Sequence, residues 1–423
     1  MTAGCIGGTD AGADTTREIT VFGPYRGAEA DHFAASAEAF TDRTGITIRY
    51  TGSADFVVDL NRRSIELNDP PDVAMVPQTG VLRALVDNQR IVALPDAALD
   101  QLDANYSPEA RALGEVDGTA FAVPFRVNIK SLVFYRPEVF DENGWEIPRS
   151  LDELEATAAS MQADGDMAPW CLALEAGTAT GWPATDWAED LVLRLAGADE
   201  YERWAVGELP FTSPEIADAF DRMRTLVLAN GRLNGSAAGS VEIPTARVVE
   251  PLFGDEPGCA MAKQADFAIG WMPSDTSVGP DGDVDFFVLP ADTVDTEPPL
   301  VVGSDLAVQF RRSPDVDAFV AYLAEAQVGA PWANQGGFLS PKLTFDTAAY
   351  RDDAERQLAG LLTSASTLAF DASDQMPAEI GSRLLWDEIT LWVAAATPYD
   401  DFAARIDEAF EAHATGRSVD ASP

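Results

Sequence analysis

Aromatic and polar side chains follow three β-rich runs near the start of the sequence. Tyr25 and Arg26 follow the first run. Ser53 and Asp55 follow the second run, and Gln78 follows the third. Aromatic rings stack on apolar C–H faces, and planar polar side chains donate and accept hydrogen bonds in pairs. These side chains therefore suit a ligand that carries several hydroxyl groups, such as a sugar.

A turn-rich stretch later in the chain carries two tryptophans and an acid, namely Trp182, Asp186 and Trp187. Two rings and a carboxylate in such a stretch suit a platform for a sugar. Trp187 has an alternative interpretation as a core residue at the start of a helix, since Trp is often buried. Asp305 and Gly337 are further candidates for ligand contact.

Arg126 carries the most weight among the candidates, and Asn128 lies two positions after it. Arg126 follows an apolar run that ends at Phe125, where an unpaired charge would be costly. The arginine therefore either contacts the ligand or forms an internal salt bridge. A ligand-facing guanidinium could bind two hydroxyls or an acidic group, which leaves a carboxylated or sulfonated sugar as an alternative ligand.

The residue types favour binding over catalysis. His32 and His413 are the two histidines of the chain, and no CxxC motif occurs. We therefore expect no catalytic residue, no metal site and no cofactor. A glycoside-active enzyme is a remote alternative, because among 70 acidic residues any carboxylate pair can be proposed. The succession of strands and helices also lacks eight regular βα units.

Three cysteines are present: Cys5, Cys171 and Cys259. The residues before Cys5 resemble the end of a bacterial lipobox, and a Gly-rich and Thr-rich stretch follows it. We therefore predict a lipid anchor on Cys5 and a flexible leader over 1–16. Cys171 and Cys259 would then form a plausible disulfide in an oxidising compartment, and two buried thiols are the alternative.

The charge excludes nucleic acid as a partner. With 28 basic and 70 acidic residues, the net charge is −42. Such a surface repels nucleic acids and anionic lipids at long range. Runs of 18 or more apolar residues are absent, so we expect membrane contact only through a lipid on Cys5.

Strands and helices must position these side chains. The segment 18–76 alternates strand, helix, strand, helix, strand, which predicts an α/β fold with a mainly parallel sheet. Ligands of such sheets bind beyond the carboxyl ends of the strands, where the first candidates lie. Further strands are predicted at 121–125, 132–135, 269–272, 286–290 and 300–310.

Several segments resemble the family 1 extracellular solute-binding proteins of ABC transporters. The sequence Asp117-Gly118-Thr119-Ala120-Phe121-Ala122-Val123-Pro124 is followed by an apolar strand and then by Val139-Phe140-Asp141-Glu142-Asn143-Gly144. A finer resemblance is to the α-glucoside-type members. It is carried by the segment 123–132 and by Gly181-Trp182-Pro183-Ala184-Thr185-Asp186-Trp187.

The resemblance implies a type II, maltose-binding-like periplasmic-binding-protein fold, with two α/β lobes joined by crossing strands and a ligand cleft between them. We place lobe one at 17–126 and 300–345, and lobe two at 127–299 and 346–423. The implied function is capture of an α-glucoside or similar small saccharide by hinge closure, and its delivery to the permease subunits. We expect a monomer, either periplasmic or lipid-anchored on the outer face of the cytoplasmic membrane.

Overall fold

The computed structural model of the protein describes residues 17–165 and 167–417, so Cys5 and the predicted leader 1–16 lie outside the described residues. The strands are β1 Glu18–Gly23, β2 Thr47–Gly52, β3 Val73–Val76, β4 Glu115–Val116, β5 Thr119–Ala120, β6 Ala122–Ile129, β7 Leu132–Tyr135, β8 Ala168–Cys171, β9 Cys259–Gln264, β10 Asp285–Val288, β11 Leu300–Gln309 and β12 Leu368–Phe370. The α-helices are α1 Ala28–Thr44, α2 Phe56–Asn61, α3 Thr79–Asp87, α4 Asp96–Asn105, α5 Pro108–Ala112, α6 Pro137–Asn143, α7 Leu151–Asp164, α8 Trp182–Leu195, α9 Ala198–Ala205, α10 Pro214–Met223, α11 Ala237–Ser240, α12 Pro314–Leu323, α13 Ala330–Ala333, α14 Asp353–Ser364, α15 Ala372–Gln375, α16 Leu385–Val393 and α17 Tyr399–Ala414. Short 3₁₀ or π turns cover 62–66, 177–179, 224–228, 245–247, 250–252, 266–271, 347–349 and 380–384.

The first sheet has six strands in the order β12-β11-β3-β1-β2, with β6 also paired to β11. β1 lies between β2 and β3 and runs parallel to both. β11 runs antiparallel to β3 and to β6. The first three residues of β11 also pair in parallel with β12. The parallel strands β2, β1 and β3 confirm the α/β class predicted from the alternation over 18–76.

Helix α1 is amphipathic and packs its apolar side on the first sheet. Phe33, Ala37 and Phe40 recur at the spacing of one helical face, and all three are buried. Gly45 ends the helix with a φ of 69°, which glycine adopts without steric cost. Its N–H donates to the carbonyl oxygen of Thr41 at 2.8 Å. This ending turns the chain back so that β2 pairs with β1.

The second sheet has four strands in the order β10-β7-β9-β8. β7 is antiparallel to β10 and β9, whereas β8 and β9 are parallel. A disulfide joins Cys171 at the end of β8 to Cys259 at the start of β9, with their Cα atoms 5.5 Å apart. Both cysteines are buried, so the bond ties two neighbouring strands inside the protein.

The chain passes between the two sheets at neighbouring points. Lys130 and Ser131 connect β6 to β7, and the segment 289–299 connects β10 to β11. The buried hydroxyl of Ser131 donates to Asp190 at 2.6 Å and accepts from the N–H of Val301 at 2.8 Å. One small side chain therefore joins both connections to helix α8.

Arg194 of α8 holds the second connection. Its guanidinium pairs with Asp190 and donates to three carbonyl oxygens at the two ends of that segment, those of Leu289, Pro290 and Pro299. The side chains of Arg194 and Asp190 are both 0% exposed. Because both charged groups of this pair have hydrogen-bonding partners, the cost of burying them is offset.

The strand predicted at 269–272 is wrong, since 266–271 form a 3₁₀ turn. The carboxylate of Asp266 accepts from the N–H of Ile129 at 2.6 Å and fixes this turn against the end of β6. Tertiary contact overrides the β propensity of the apolar residues. Among the described residues, no helix has both the length and the apolar composition needed to span a bilayer.

Candidate ligand-binding site

A cavity of about 250 Å³ lies where the chain crosses between the two sheets. The loops after β1 and β3 contribute Tyr25 and Gln78 to its wall, and β6 contributes Arg126 and Asn128. Of the remaining sequence candidates, Trp182 and Asp305 also line it. A larger groove of about 580 Å³ lies between α3 and α17, but none of the predicted site residues lines it.

Arg126 is held in place by two carboxylates. Its Nε donates to Asp305 at 2.8 Å, and its Nη1 donates to Glu29 at 2.8 Å and to the carbonyl oxygen of Gly337 at 3.3 Å. The guanidinium also lies over the ring of Trp332, 4.8 Å from its centroid. Among the described residues, none accepts a hydrogen bond from Nη2, so this nitrogen remains available to a ligand in the cavity.

The pKa values of Arg126 and Asp305 depend on each other's charge. Burial opposes the charge of Arg126, but the carboxylates of Asp305 and Glu29 raise its pKa above the ordinary value. Burial raises the pKa of Asp305, although Arg126 opposes that shift. The internal salt bridge weighed for Arg126 is therefore present, and ligand contact by the same side chain, which also lines the cavity, stays a prediction.

Two amides and two tryptophans supply the remaining features of a sugar site. The Oδ1 of Asn128 and the Oε1 of Gln78 have no hydrogen-bond partner among the described residues, so both amides can bind a ligand. Trp182 at the start of α8 packs against Phe267, with ring centroids 6.0 Å apart, and is partly exposed. Trp386 of α16 forms another part of the wall.

Lys130 lies beside Trp182 at the first connection between the sheets. Its Nζ is 5.6 Å from the centroid of the Trp182 ring. The ammonium donates to Asp186 of α8 at 3.1 Å and pairs with Asp371, which precedes α15. Both carboxylates are at least 96% buried, with side-chain exposures of 4% and 1%.

More carboxylates surround Lys130 than one ammonium can balance. Burial raises the pKa of Asp186 to about 6 and raises that of Glu189 well above its ordinary value. Burial opposes the charge of Asp371, but Lys130 together with hydrogen bonds from Asp374 and Ser373 lowers its pKa. Asp186, Glu189 and Asp371 lie close enough together to suggest a metal site. Lys130 already supplies the cation between two of them, so we interpret the group as an ion-pair cluster.

The structure places the other sequence candidates away from the cavity wall. Arg26 is exposed, and Asp186 lies behind the wall as a partner of Lys130. Ser53 donates to Asp59 at 2.6 Å, at the start of α2. Asp55 accepts from Thr178 at 3.0 Å, a contact between a loop of the first sheet and the turn before α8.

Trp187 is a core residue, so its prediction as a ligand contact is corrected. Its side chain is 1% exposed and packs edge-on against Trp170, with ring centroids 4.9 Å apart.

Gly337 contributes to the site indirectly, since its carbonyl oxygen accepts from Arg126 and its N–H donates to Glu355 at 2.8 Å. With a φ of 79°, Gly337 has a backbone that suits glycine.

Several residues of the wall were not predicted, namely Pro24, Glu29, Pro77, Lys130, Ala179, Phe267, Gly303, Ser304, Ser373, Asp374 and Trp386. Lys130 could have been found, because it lies in the same crossing segment as Arg126 and Asn128. Ser373 and Asp374 carry no local signal that links them to residues more than 240 positions earlier in the chain.

Comparison with known proteins places the chain among binding proteins. Residues 35–357 match the family described as bacterial extracellular solute-binding protein. The alpha-glucosides-binding periplasmic protein AglE of Rhizobium meliloti is 31% identical over 406 residues, covering 93% of this chain and 87% of AglE. The osmoprotective compounds-binding protein GgtB of Synechocystis is 30% identical over 393 residues, covering 93% of this chain and 92% of GgtB.

A solved structure shows the same fold. The bacterial solute receptor AcbH superposes with a TM-score of 0.79 at 20% identity, covering 95% of this chain and 99% of AcbH. This similarity, with those of further binding proteins, confirms the predicted two-lobed, maltose-binding-like α/β fold. From its match over residues 35–357 and its similarity to two relatives along most of its length, the chain belongs to the bacterial extracellular solute-binding family.

Proposed function

We propose that this chain is the sugar-binding component of an ABC importer and that it captures a small neutral saccharide of the α-glucoside type. The observation that carries this proposal is the cavity itself. It combines unpaired amide groups on Gln78 and Asn128 with the aromatic side chain of Trp182. A neutral sugar needs both features, since its hydroxyls take hydrogen bonds and its C–H faces stack on rings. The similarity to AglE, which is named as a binder of alpha-glucosides, supports a ligand of this class.

The charge distribution favours a neutral sugar over an acidic one. Arg126 is paired with Asp305 and Glu29, and Lys130 is paired with Asp186 and Asp371. Both cations of the wall are therefore already balanced by buried or half-buried carboxylates. A carboxylated or sulfonated sugar would add negative charge beside those carboxylates, which raises the cost of its desolvation.

The proposal does not include catalysis. Glu29 and Asp305 each accept a hydrogen bond of 2.8 Å from Arg126, so both carboxylates are engaged within the wall and neither is free to act as an acid or base. We propose that the protein closes around its ligand as a monomer, in the periplasm or anchored by a lipid on Cys5, and delivers the ligand to a permease.

A thermal-shift screen followed by calorimetry tests the proposal. The panel contains maltose, trehalose, sucrose, a glucosylglycerol, and a carboxylated and a sulfonated glucoside. Ligand at about a hundredfold excess over its Kd stabilises the folded state by about 2.7 kcal/mol, which gives a clear shift. We expect the melting temperature to rise with neutral α-glucosides. A rise with the acidic sugars alone would refute the neutral ligand and indicate an anionic one.

Trp182→Ala provides the matched test of the site. Loss of the ring from the cavity wall should weaken saccharide binding by about 10-fold to 100-fold, or roughly 1.4–2.7 kcal/mol. Trp145→Ala is the control, because Trp145 is also half-buried but packs on Phe140, away from the cavity. Equal affinities for the two variants would contradict the assignment of Trp182 to the site.

A further inference from the structure

The side chain of Asp374, at the ligand cavity, has no partner among the described residues. It lies on α15, is 7% exposed and forms part of the cavity wall. Its backbone is fixed at both ends, since its N–H donates to Asp371 at 2.8 Å and its carbonyl oxygen accepts from Thr79 at 3.2 Å. Within 17–165 and 167–417, no group donates a hydrogen bond to its carboxyl oxygens and no cation pairs with them.

The surroundings of Asp374 are acidic. Asp371 lies on the same segment, Asp186 and Glu189 belong to α8, and Asp305 belongs to β11. The charge of the Lys130 ammonium also acts on Asp374, but the ammonium is engaged by Asp186 and Asp371.

In the part of the chain that the structure describes, the elements packed around α15 bring no other cation to this carboxyl. Lys263 pairs with Asp190 at 2.8 Å, and Arg83 of α3 points to Asp117. Arg383, in the turn 380–384, is exposed and lies near Asp387. Helix α9 contributes the hydroxyl of Tyr201, which donates to the carbonyl oxygen of Phe370 at 2.9 Å.

We propose that Asp374 keeps its carboxyl proton in the cavity and donates it in a hydrogen bond to a hydroxyl of the bound sugar. A buried carboxylate without a donor or a cation is expensive, whereas the neutral acid is both cheaper to bury and a hydrogen-bond donor. Burial, together with the charge of Asp371, holds the pKa of Asp374 well above its ordinary value. The proposal rests on the proposed function, since it names the group that recognises the sugar.

The carboxyl proton of Asp374 determines how the affinity for the sugar changes with pH. The protonated form binds, so affinity is constant below the pKa of Asp374 in the free protein. Above that pKa, affinity falls by up to about tenfold per pH unit, and binding is accompanied by uptake of one proton. A purely structural acid would affect folding without giving this proton uptake.

Calorimetry in two buffers of different ionisation enthalpy tests the proposal between about pH 6 and pH 9. The probe is the α-glucoside that gives the largest shift in the screen. For wild type we expect affinity to fall at high pH with uptake of one proton. Asp374→Asn, whose amide donates without titrating, should bind with no proton uptake and with a flat profile, while Asp374→Ala should bind weakly throughout. The control is Asp281→Asn, at an exposed acid outside the cavity, which should behave as wild type.

A measurement without sugar separates this proposal from the proposed function. Infrared difference spectra of wild type against Asp374→Asn at pH 7 should contain the band of a protonated carboxyl. Absence of the band overturns the proposal whatever ligand binds. Unchanged binding by Asp374→Ala overturns it as well. Failure of every saccharide to bind refutes the proposed function, and with it the donation to a sugar, whereas the band alone decides whether Asp374 is protonated.

Discussion

Replacing Arg126 by methionine removes the charge at the centre of the cavity wall while keeping a side chain that packs on Trp332. In the folded protein the guanidinium balances Asp305 and Glu29, with 2.8 Å to each. Without it, Asp305 is left as a carboxylate whose side chain is 4% exposed. The variant therefore tests whether the wall is held together by this ion pair.

The expected loss can be worked out from burial. Removal of one partner of a buried pair costs about 3–5 kcal/mol, because the other charge stays unpaired. Glu29 adds little, since 44% of its side chain is exposed and water can replace the arginine. The cation–π contact with Trp332, at 4.8 Å, adds roughly 0.5–1 kcal/mol. Because Asp305 borders a cavity that water can enter, we expect the lower end, about 3 kcal/mol in the free energy of unfolding at neutral pH.

The pH dependence provides a second check. Burial already raises the pKa of Asp305 in the presence of Arg126, and without the arginine that pKa must rise further. An acid whose pKa is raised in the folded state destabilises the fold above that pKa, and the penalty disappears as protonation restores neutrality. The loss should therefore be complete at about pH 8 and become smaller towards pH 5.

Urea denaturation followed by circular dichroism measures the effect through the midpoint and slope of the transition. The double variant Arg126→Met/Asp305→Asn is the matched control, because it removes both charges. We expect it to recover to within about 1 kcal/mol of wild type. A loss below about 1 kcal/mol for Arg126→Met, or no recovery in the double variant, would refute the reasoning.

Two further predictions concern stability away from the cavity. Lys342 is buried with its Nζ donating to the carbonyl of Val328 at 2.9 Å, and burial lowers its pKa from 10.5 to about 7. Lys342→Met should raise the free energy of unfolding by about 2 kcal/mol near pH 7, and urea titrations should show this gain shrinking as pH rises towards the unfolded pKa. A gain that grows with pH would contradict this sign. Thiol labelling should find Cys171 and Cys259 unreactive, native or unfolded, without reductant. Replacing both by alanine should cost about 2–4 kcal/mol, because the bond closes a separation of 88 residues.

The first sheet was predictable because its signals are local. The apolar alternation of β1, the helical spacing of Phe33, Ala37 and Phe40, and the glycine at position 45 all act within a few residues of one another. Because ligands of parallel sheets bind beyond the carboxyl ends of the strands, the loops after β1 and β3 were predicted to contribute to the site. Tyr25 and Gln78 of these loops do line the cavity. A Cβ at Gly52 would overlap the carbonyl oxygen of Tyr25, so glycine at the end of β2 permits the close approach of the loop after β1.

Side-chain direction was the harder problem. Trp182 and Trp187 are five positions apart on α8, which turns the second ring by about 140° around the helix axis. Only Trp182 can then face the cavity, while Trp187 packs on Trp170. The sequence did not fix where the helix begins, so the two rings could not be distinguished.

The cluster around Lys130 could not be predicted, because its members come from three distant parts of the chain. Lys130 and Asp371 are 241 positions apart, and Asp186 lies between them in sequence. Each acid alone resembles the many solvated acids of a chain with a net charge of −42. Only the packing of α8 against α15 and the crossing segments shows that these carboxylates are buried.

Long-range hydrogen bonds also bear on the predicted division into lobes, and we propose to move the boundary placed at residue 345. The segment 346–364 was assigned to lobe two, but Tyr350 accepts from the N–H of Ser340 at 3.1 Å, and Glu355 accepts from that of Gly337 at 2.8 Å. Both donors lie within the range assigned to lobe one. The N–H of Asp371 donates to Val302 at 2.9 Å, which places a third passage of the chain beside the other two. In the closure proposed above, these three adjacent passages would form the hinge, with Asp371 in one and Lys130 in another. A change of charge in that cluster would then alter ligand affinity and the equilibrium between open and closed forms together.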